Sequence, residues 1–174
     1  MFDVISVENM RRSDEYTIAS FVSSEELMRR AAMGIFESIL RVRGINQSDN
    51  IAIVVGSGNN GGDGFALAEI LLKKKFGVVS IHTVTDHYSE DSTVFKNRVS
   101  DLGVDTIPVD SENLKKADII IDCLLGTGFK GEIRGNYKDA VIAINDAHKS
   151  GSYVVSADIN SGLNGDTGEA ELSV

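Results

Sequence analysis

The sequence has one cysteine, three histidines and no long apolar segment. Cys123 cannot form an internal disulfide, and the N-terminus lacks the charged start and apolar run of a secretion signal. No apolar stretch approaches the roughly 18 residues that span a bilayer. We therefore predict a cytoplasmic protein with no membrane association. Because the histidines have no zinc-like spacing, we expect no transition metal.

Basic residues are the minority. The 17 Lys and Arg residues against 26 Asp and Glu residues give a net charge of −9, which repels a phosphate backbone over most of the surface. We therefore expect no nucleic-acid partner. A chain of 174 residues that is 42% hydrophobic has the size and apolar content of one compact domain, so we predict a single domain over residues 1–174.

Helical spacing dominates the first third of the chain. Ser6 can cap a helix that runs to about residue 19, and Ser23 with Glu26 forms a capping box for a second helix. The second helix has apolar residues at helical spacing, which predicts a buried stripe along one face. That stripe comprises Leu27, Ala31, Ile35 and Ile39, with Met28, Ala32 and Leu40 beside them.

From Ile51 onward, short β-rich runs alternate with helical segments. This pattern is typical of parallel strands joined by right-handed crossovers. Runs such as IAIVV and IIIDCLL have no polar alternation, which indicates strands covered on both faces. We predict an α/β, Rossmann-like doubly wound, mainly parallel sheet of order 3-2-1-4-5, preceded by two helices. The predicted strands are 51–55, 78–84, 106–109, 118–125 and 153–157, and the later helices are 65–75, 89–102 and 135–150.

A glycine-rich segment, GNNGGDG at residues 58–64, follows the first predicted strand. Five glycines fall within residues 56–64, a density that predicts a loop whose backbone a ligand, most simply a nucleotide, approaches closely. Residues 56–61 also fit GxGxxG, and Asp86 follows the second strand, so a dinucleotide dehydrogenase is one alternative. Asp63 at the helix start opposes a pyrophosphate there. Its plain alternative is a helix cap.

The carboxyl ends of the fourth and fifth predicted strands carry Asp122, Asp158 and Ser161. In the predicted sheet these ends neighbour the first strand, so side-chain oxygens of Asn60, Asp122 and Ser161 can converge. Such oxygens suit an alkali or alkaline-earth cation. The structural alternative is that backbone donors satisfy Asp122 and that Asp158 only caps a turn. Lys130 is predicted in a loop above the same site.

Five segments together resemble the YjeF N-terminal family, the NAD(P)HX epimerases. They are MRRSDEYTI at 10–18, SSEELMRRAA at 23–32, VVGSGNNGGDGFALAEIL at 54–71, DCLLGTGFKGEIRG at 122–135 and DINSGLNGDTG at 158–168. The segments keep the family's order over essentially the whole chain. Their combination is far more selective than a lone glycine fingerprint.

The resemblance implies an isomerase of nicotinamide coenzyme repair. Its substrate would be NADH or NADPH hydrated on the nicotinamide ring, and it would interconvert the R and S epimers for a separate, S-specific, ADP- or ATP-dependent dehydratase. A potassium ion would be held by Asn60, Asp122 and Ser161. The substrate would be lined by Asn59, Asn60, Gly61, Gly62, Asp63, Gly126, Thr127, Gly128, Phe129, Lys130, Gly131, Glu132 and Asp158.

Epimerisation requires proton transfer at the hydroxyl-bearing carbon, and we expect Asp158 to be the main acid/base, with Lys130 assisting or holding phosphate.

The sequence departs from the family in two places. Asn160 replaces a proline, and the chain stops at Val174 where relatives continue with at least one more strand. An exposed sheet edge would follow, so reduced activity or a homodimer that covers the edge is expected. A non-catalytic nucleotide-binding or scaffold domain is the alternative function.

Overall fold

The computed structural model describes residues 5–174 and begins with two helices. α1 spans Val7–Ser20 and α2 spans Ser24–Val42. The predicted caps are confirmed, because the side chain of Ser6 accepts from Asn9 N–H and that of Ser23 accepts from Glu26 N–H. None of the α1 residues is buried, so this helix lies against the rest of the protein without entering its core.

The buried stripe of α2 is displaced from its predicted centre. Met28, Ala32, Phe36 and Ile39 are buried, whereas Ala31 is exposed. The larger Met28 and Phe36 side chains determine which face turns inward, and Phe36 meets Phe76 edge to face with ring centroids 5.5 Å apart. The prediction centred on Leu27, Ala31 and Ile35 was therefore wrong by about one residue around the helix.

All five strands are parallel, in the order β3-β2-β1-β4-β5, as predicted. Their bounds are Asn50–Val55 (β1), Val78–Thr83 (β2), Thr106–Pro108 (β3), Ile119–Cys123 (β4) and Tyr153–Ser156 (β5). Every residue of β4 is buried because helices cover both faces of the sheet. The register pairs Val54 with Asp122 and Asp122 with Ser156, which places the ends of β1, β4 and β5 side by side.

The crossover helices divide the core into two parts. α3 (Asn59–Lys74) and α4 (Glu90–Asp101) pack with α2 on one face of the sheet. α5 (Ser111–Leu114) and α6 (Gly135–Lys149) cover the other face. α5 was not predicted, because a four-residue turn carries no helical periodicity. Within residues 5–174, none of the helices has the length and apolar character needed to cross a membrane.

The glycine-rich segment is helical. α3 begins at Asn59 and not at Phe65 as predicted, with Gly58 as its N-cap and no side-chain capping bond. A Cβ on Gly61 would lie 2.1 Å from the carbonyl oxygen of Gly56, and one on Gly62 would lie 2.6 Å from the Met28 side chain. These glycines allow α3 to pack closely against β1 and α2. Gly61 and Gly62 thus serve packing, whereas Gly58 lines the cavity described below with nothing within 4 Å of an added Cβ, so the predicted approach of a ligand to this backbone stays a prediction. The N-cap is Gly58 and not Asp63.

Candidate functional site

A cavity of about 1130 Å³ lies beyond the carboxyl ends of β1, β4 and β5. This edge is where open parallel sheets bind ligands. The start of α3 forms one wall, the segment after β4 a second and the segment after β5 a third, while α1 and α2 close the outer side. The cavity therefore brings together chain segments that are distant in sequence.

Asp122 lies beneath this cavity and is fully buried. Ser161 donates its hydroxyl to Oδ1 (2.5 Å) and its backbone N–H to Oδ2 (2.9 Å). Ser156 Oγ–H and Leu124 N–H donate as well, at 3.0 and 3.2 Å. Burial raises the pKa of Asp122, and these four hydrogen bonds oppose that rise. The predicted set of backbone donors is present, so Asp122 has internal partners.

Ser161 and Asn60 meet at the Leu125 peptide. Leu125 N–H donates to Ser161 Oγ at 2.9 Å, and the Asn60 Nδ2–H donates to the Leu125 carbonyl at 3.0 Å. The Asn60 Oδ1 atom is buried and has no hydrogen-bond partner. A buried acceptor without a partner is costly, so this oxygen is free to coordinate a cation or accept from a ligand.

Asp158 is exposed to the cavity at the end of β5. Its Oδ2 accepts the backbone N–H of Thr127 at 2.7 Å, which fixes the carboxylate against the segment after β4. A Cβ on Gly126 would lie 2.7 Å from the same oxygen, so this contact requires glycine at position 126.

Asp63 faces the same cavity from the second turn of α3. Burial raises the pKa of Asp63 to about 7, and the nearby charges of Asp158 and Asp14 add to the increase. No hydrogen bond offsets that increase. Two carboxyl groups in different environments therefore share one cavity, a pattern typical of acid/base sites.

Lys130 lies outside the cavity wall. Its side chain is 67% exposed, and the ammonium nitrogen lies 3.0 Å from Asp166 Oδ2. Asp166 Oδ1 also accepts the N–H of Val7, the first residue of α1. The Lys130 and Asp166 pair therefore connects the segment after β4, the C-terminal segment and α1 at the rim.

The residues predicted to contact substrate divide into two groups. Those that line the cavity are Asn59, Asn60, Asp63, Gly126, Thr127, Gly128, Phe129 and Asp158. Those outside the lining are Gly61, Gly62, Lys130, Gly131 and Glu132. Asp122 and Ser161 are fully buried behind the wall whereas Asn60 lines the cavity, so the predicted cation ligands lie at and directly below the cavity surface.

Sequence reasoning missed the contribution of the N-terminal helices. α1 lines the cavity with Val7, Met10, Arg11, Asp14, Glu15 and Ile18, and α2 with Ala31, Gly34, Ile35 and Ser38. The available signal was α1 itself, which has Met10, Asp14 and Ile18 one turn apart but too few apolar residues for a core helix. A helix of this composition is expected to lie over a partly solvated surface such as a cavity, and not in the core.

The predicted cation site combines three different kinds of oxygen ligand and is not a cluster of carboxylates. Within residues 5–174, no three His, Cys, Asp or Glu side chains form a group that could hold a metal ion. Asn60, Asp122 and Ser161 would supply one amide, one carboxylate and one hydroxyl oxygen, which suits a weakly bound monovalent ion.

Asp86, the acidic residue of the dehydrogenase alternative, lies in another place. It lines a second cavity of about 660 Å³ near the ends of β2 and β3, together with Asp110 and Asp139. The two cavities share no lining residue. In the part of the chain that the structure describes, Asp86 therefore lines a different cavity from the glycine-rich segment, whereas the dehydrogenase alternative needs both at one site.

The parallel sheet and the cavity at its carboxyl edge define a Rossmann-like α/β domain with a ligand site in the usual position. The family model described as "YjeF-related protein N-terminus" matches residues 24–174. The chain belongs to this family.

Its relatives carry consistent names. An NAD(P)H-hydrate epimerase of Limosilactobacillus reuteri (strain DSM 20016) is 35% identical, covering 95% of this chain and 77% of the relative. An NAD(P)H-hydrate epimerase from Elusimicrobium minutum is 33% identical, and the match covers 98% of this chain and 80% of the relative. A bifunctional NAD(P)H-hydrate repair enzyme of Coxiella burnetii is 31% identical and is covered over 32% of its length.

A comparison with solved structures gives the same fold. The crystal structure of yeast ynu0 (YNL200c) matches with a TM-score of 0.85 over 99% of this chain and 77% of that one, at 21% sequence identity. At this identity the likeness shows the fold, including the helices that surround the cavity.

Proposed function

We propose that this chain is an NAD(P)H-hydrate epimerase, an isomerase that interconverts the R and S epimers of NADH or NADPH hydrated on the nicotinamide ring. The names of its relatives support this assignment. The observation that carries it is the pair Asp158 and Asp63, which face one cavity directly beside the Asn60 amide.

The reaction needs a group that gives and takes protons. The hydroxyl-bearing ring carbon loses and regains its configuration, either by loss and return of water or by ring opening, and each route moves a proton to or from that oxygen. Asp158 is the main acid/base in this proposal. It is exposed to the cavity, and the Thr127 N–H holds its Oδ2, which leaves Oδ1 free to contact the substrate.

Asp63 supplies a carboxyl group that is partly protonated at neutral pH and can therefore act as a proton donor. With a pKa of about 7, its carboxyl is about half protonated at neutral pH, whereas an ordinary aspartate is ionised. A protonated Asp63 can donate its proton to the hydroxyl as the C–O bond breaks, so that water leaves and the ring nitrogen stabilises the resulting cation. When water adds to the opposite face of the ring, Asp158 can take the proton that this water gives up, and proton exchange with solvent returns both carboxyl groups to their starting forms.

A potassium ion forms part of the proposal. The unpartnered Asn60 Oδ1 supports it, because this oxygen would otherwise be buried without compensation. Asp122 and Ser161 are the other ligands proposed, and both contact or neighbour the Leu125 peptide that Asn60 holds. A bound ion would supply positive charge to orient the substrate and the loops, without redox chemistry.

Lys130 has a supporting role in this proposal. Its ammonium pairs with Asp166 and would have to leave that partner to reach a substrate phosphate. Gly131 and Glu132, in the same segment, would contact the substrate only through such a movement. Gly61 and Gly62 act through the close packing that positions Asn60 and Asp63.

The remaining assignments concern cellular context. We propose a cytoplasmic enzyme whose S product is used by a separate ADP- or ATP-dependent dehydratase. The Coxiella burnetii relative, named as a bifunctional repair enzyme, supports this coupling. A homodimer is also proposed, since β5 is an outer strand whose edge can pair with another strand.

A coupled assay tests the activity. A mixture of R and S epimers is given to an S-specific dehydratase, with and without this protein, and total hydrate is followed. An active epimerase makes the R half disappear at a rate proportional to its concentration. Consumption of the R half at the spontaneous rate alone would instead favour a non-catalytic binding domain.

A further inference from the structure

We infer that Arg11 of α1 binds the phosphate groups of the substrate. This inference rests on the proposed function, because hydrated nicotinamide dinucleotides carry a pyrophosphate. Arg11 lies in the cavity wall, on the helix that precedes the segment matched by the family model.

The cavity is lined by several acidic side chains, so a phosphate group can bind there only beside a positively charged residue. Asp14, Glu15, Asp63 and Asp158 all line it, and such a surface repels a pyrophosphate. Among the lining residues in the described part of the chain, Arg11 is the only lysine or arginine. The guanidinium also has the geometry for two parallel hydrogen bonds to phosphate oxygens.

Arg11 is available to a ligand. It is exposed, and none of the ion pairs formed within residues 5–174 includes it, although Asp14 and Glu15 follow at the helical spacings that favour pairing. Lys130, the other basic residue near the rim, is already paired with Asp166. A phosphate can therefore reach Arg11 without breaking an existing ion pair.

The neighbour of Arg11 is Gly128. The guanidinium Nη2 lies 3.3 Å from the position that a Cβ on Gly128 would occupy, so the glycine leaves room for the arginine. The Gly128 N–H donates to no other backbone group of the described chain. The guanidinium and this N–H can therefore bind the same phosphate in the cavity that Asp158 also lines.

Calorimetric titration with ADP-ribose tests the inference, because this probe has both phosphates but no nicotinamide ring to react. R11A is compared with wild type, with R11K and with R12A, whose arginine is the next residue of the same helix and lies outside the cavity lining. We expect R11A to bind at least about tenfold more weakly. R11K should be intermediate and R12A within about twofold of wild type. Equal affinities for R11A and wild type, or no binding by wild type, would overturn the inference.

A second measurement separates this inference from the proposed function. In an active enzyme, R11A should raise KM for hydrated NADH about tenfold or more, and it should leave kcat/KM for hydrated, reduced nicotinamide riboside unchanged because that substrate has no phosphate. Equal losses on both substrates would contradict phosphate binding. If wild type binds ADP-ribose through Arg11 but does not epimerise, the proposed function fails and the phosphate site stands.

Discussion

Asp122 and Ser161 are joined by two hydrogen bonds across 39 residues of sequence. The bonds connect the end of β4 to the segment that follows β5. Through the Leu125 N–H, Ser161 also holds the segment that contacts Asn60. This contact therefore sets the positions of three walls of the cavity.

S161A should destabilise the fold by about 1–3 kcal/mol, because it removes one hydrogen bond to a buried carboxylate and leaves the Leu125 N–H without its acceptor. Urea unfolding measures the difference. S48A is the matched control, since Ser48 is exposed, and it should remain within about 0.5 kcal/mol of wild type. Equal midpoints for S161A and S48A would show that the contact contributes little.

Potassium should stabilise the protein through Asn60. When tetramethylammonium is replaced by potassium at constant ionic strength, the wild-type Tm should rise by about 2–4 °C, because an ion that binds only the folded state shifts the unfolding equilibrium. N60A should lose this rise. N97A, a change on the exposed surface of α4, should keep it. A potassium response that survives in N60A would rule out Asn60 as a ligand.

D63N should change how stability depends on pH. The pKa of Asp63 rises from 3.8 to about 7 on folding, so between these values the folded state binds more protons and wild-type stability falls as pH increases. The loss is complete above pH 7 and amounts to at most about 4 kcal/mol. D63N lacks this titration, so its stability relative to wild type should be higher at pH 8 than at pH 4. Parallel pH profiles from urea unfolding would contradict the raised pKa.

D158N should lower kcat by about 10²–10⁴, the usual contribution of a general acid/base. The asparagine oxygen can still accept the Thr127 N–H, so the fold should be unaffected. D101N, at the exposed end of α4, is the matched control and should retain wild-type kinetics. If D158N kept the full epimerase rate, Asp158 would not be the acid/base and another residue would have that role.

The sheet could be predicted because its order follows from short β-rich runs, and the meeting of Asn60, Asp122 and Ser161 follows from that order. The start of α3 could not be predicted in the same way. Glycine weakens an isolated helix, yet here the close packing of Gly61 and Gly62 against neighbouring groups outweighs that preference.

Sequence patterns gave only a weak indication of the part played by α1. A helix with no buried residue gives little periodic signal of which face meets the protein, and Arg11 gains its place in the cavity only from the tertiary arrangement. The raised pKa of Asp63 depends likewise on burial and on Asp158, which is far away in sequence.

The most direct test of the account begins with each purified epimer separately and follows both by chiral chromatography. The account predicts that wild-type protein brings the R and S solutions to the same final ratio, at a rate proportional to its concentration and far above that of D158N. If both solutions change at the protein-free rate, the cavity does not catalyse epimerisation and the central claim is wrong.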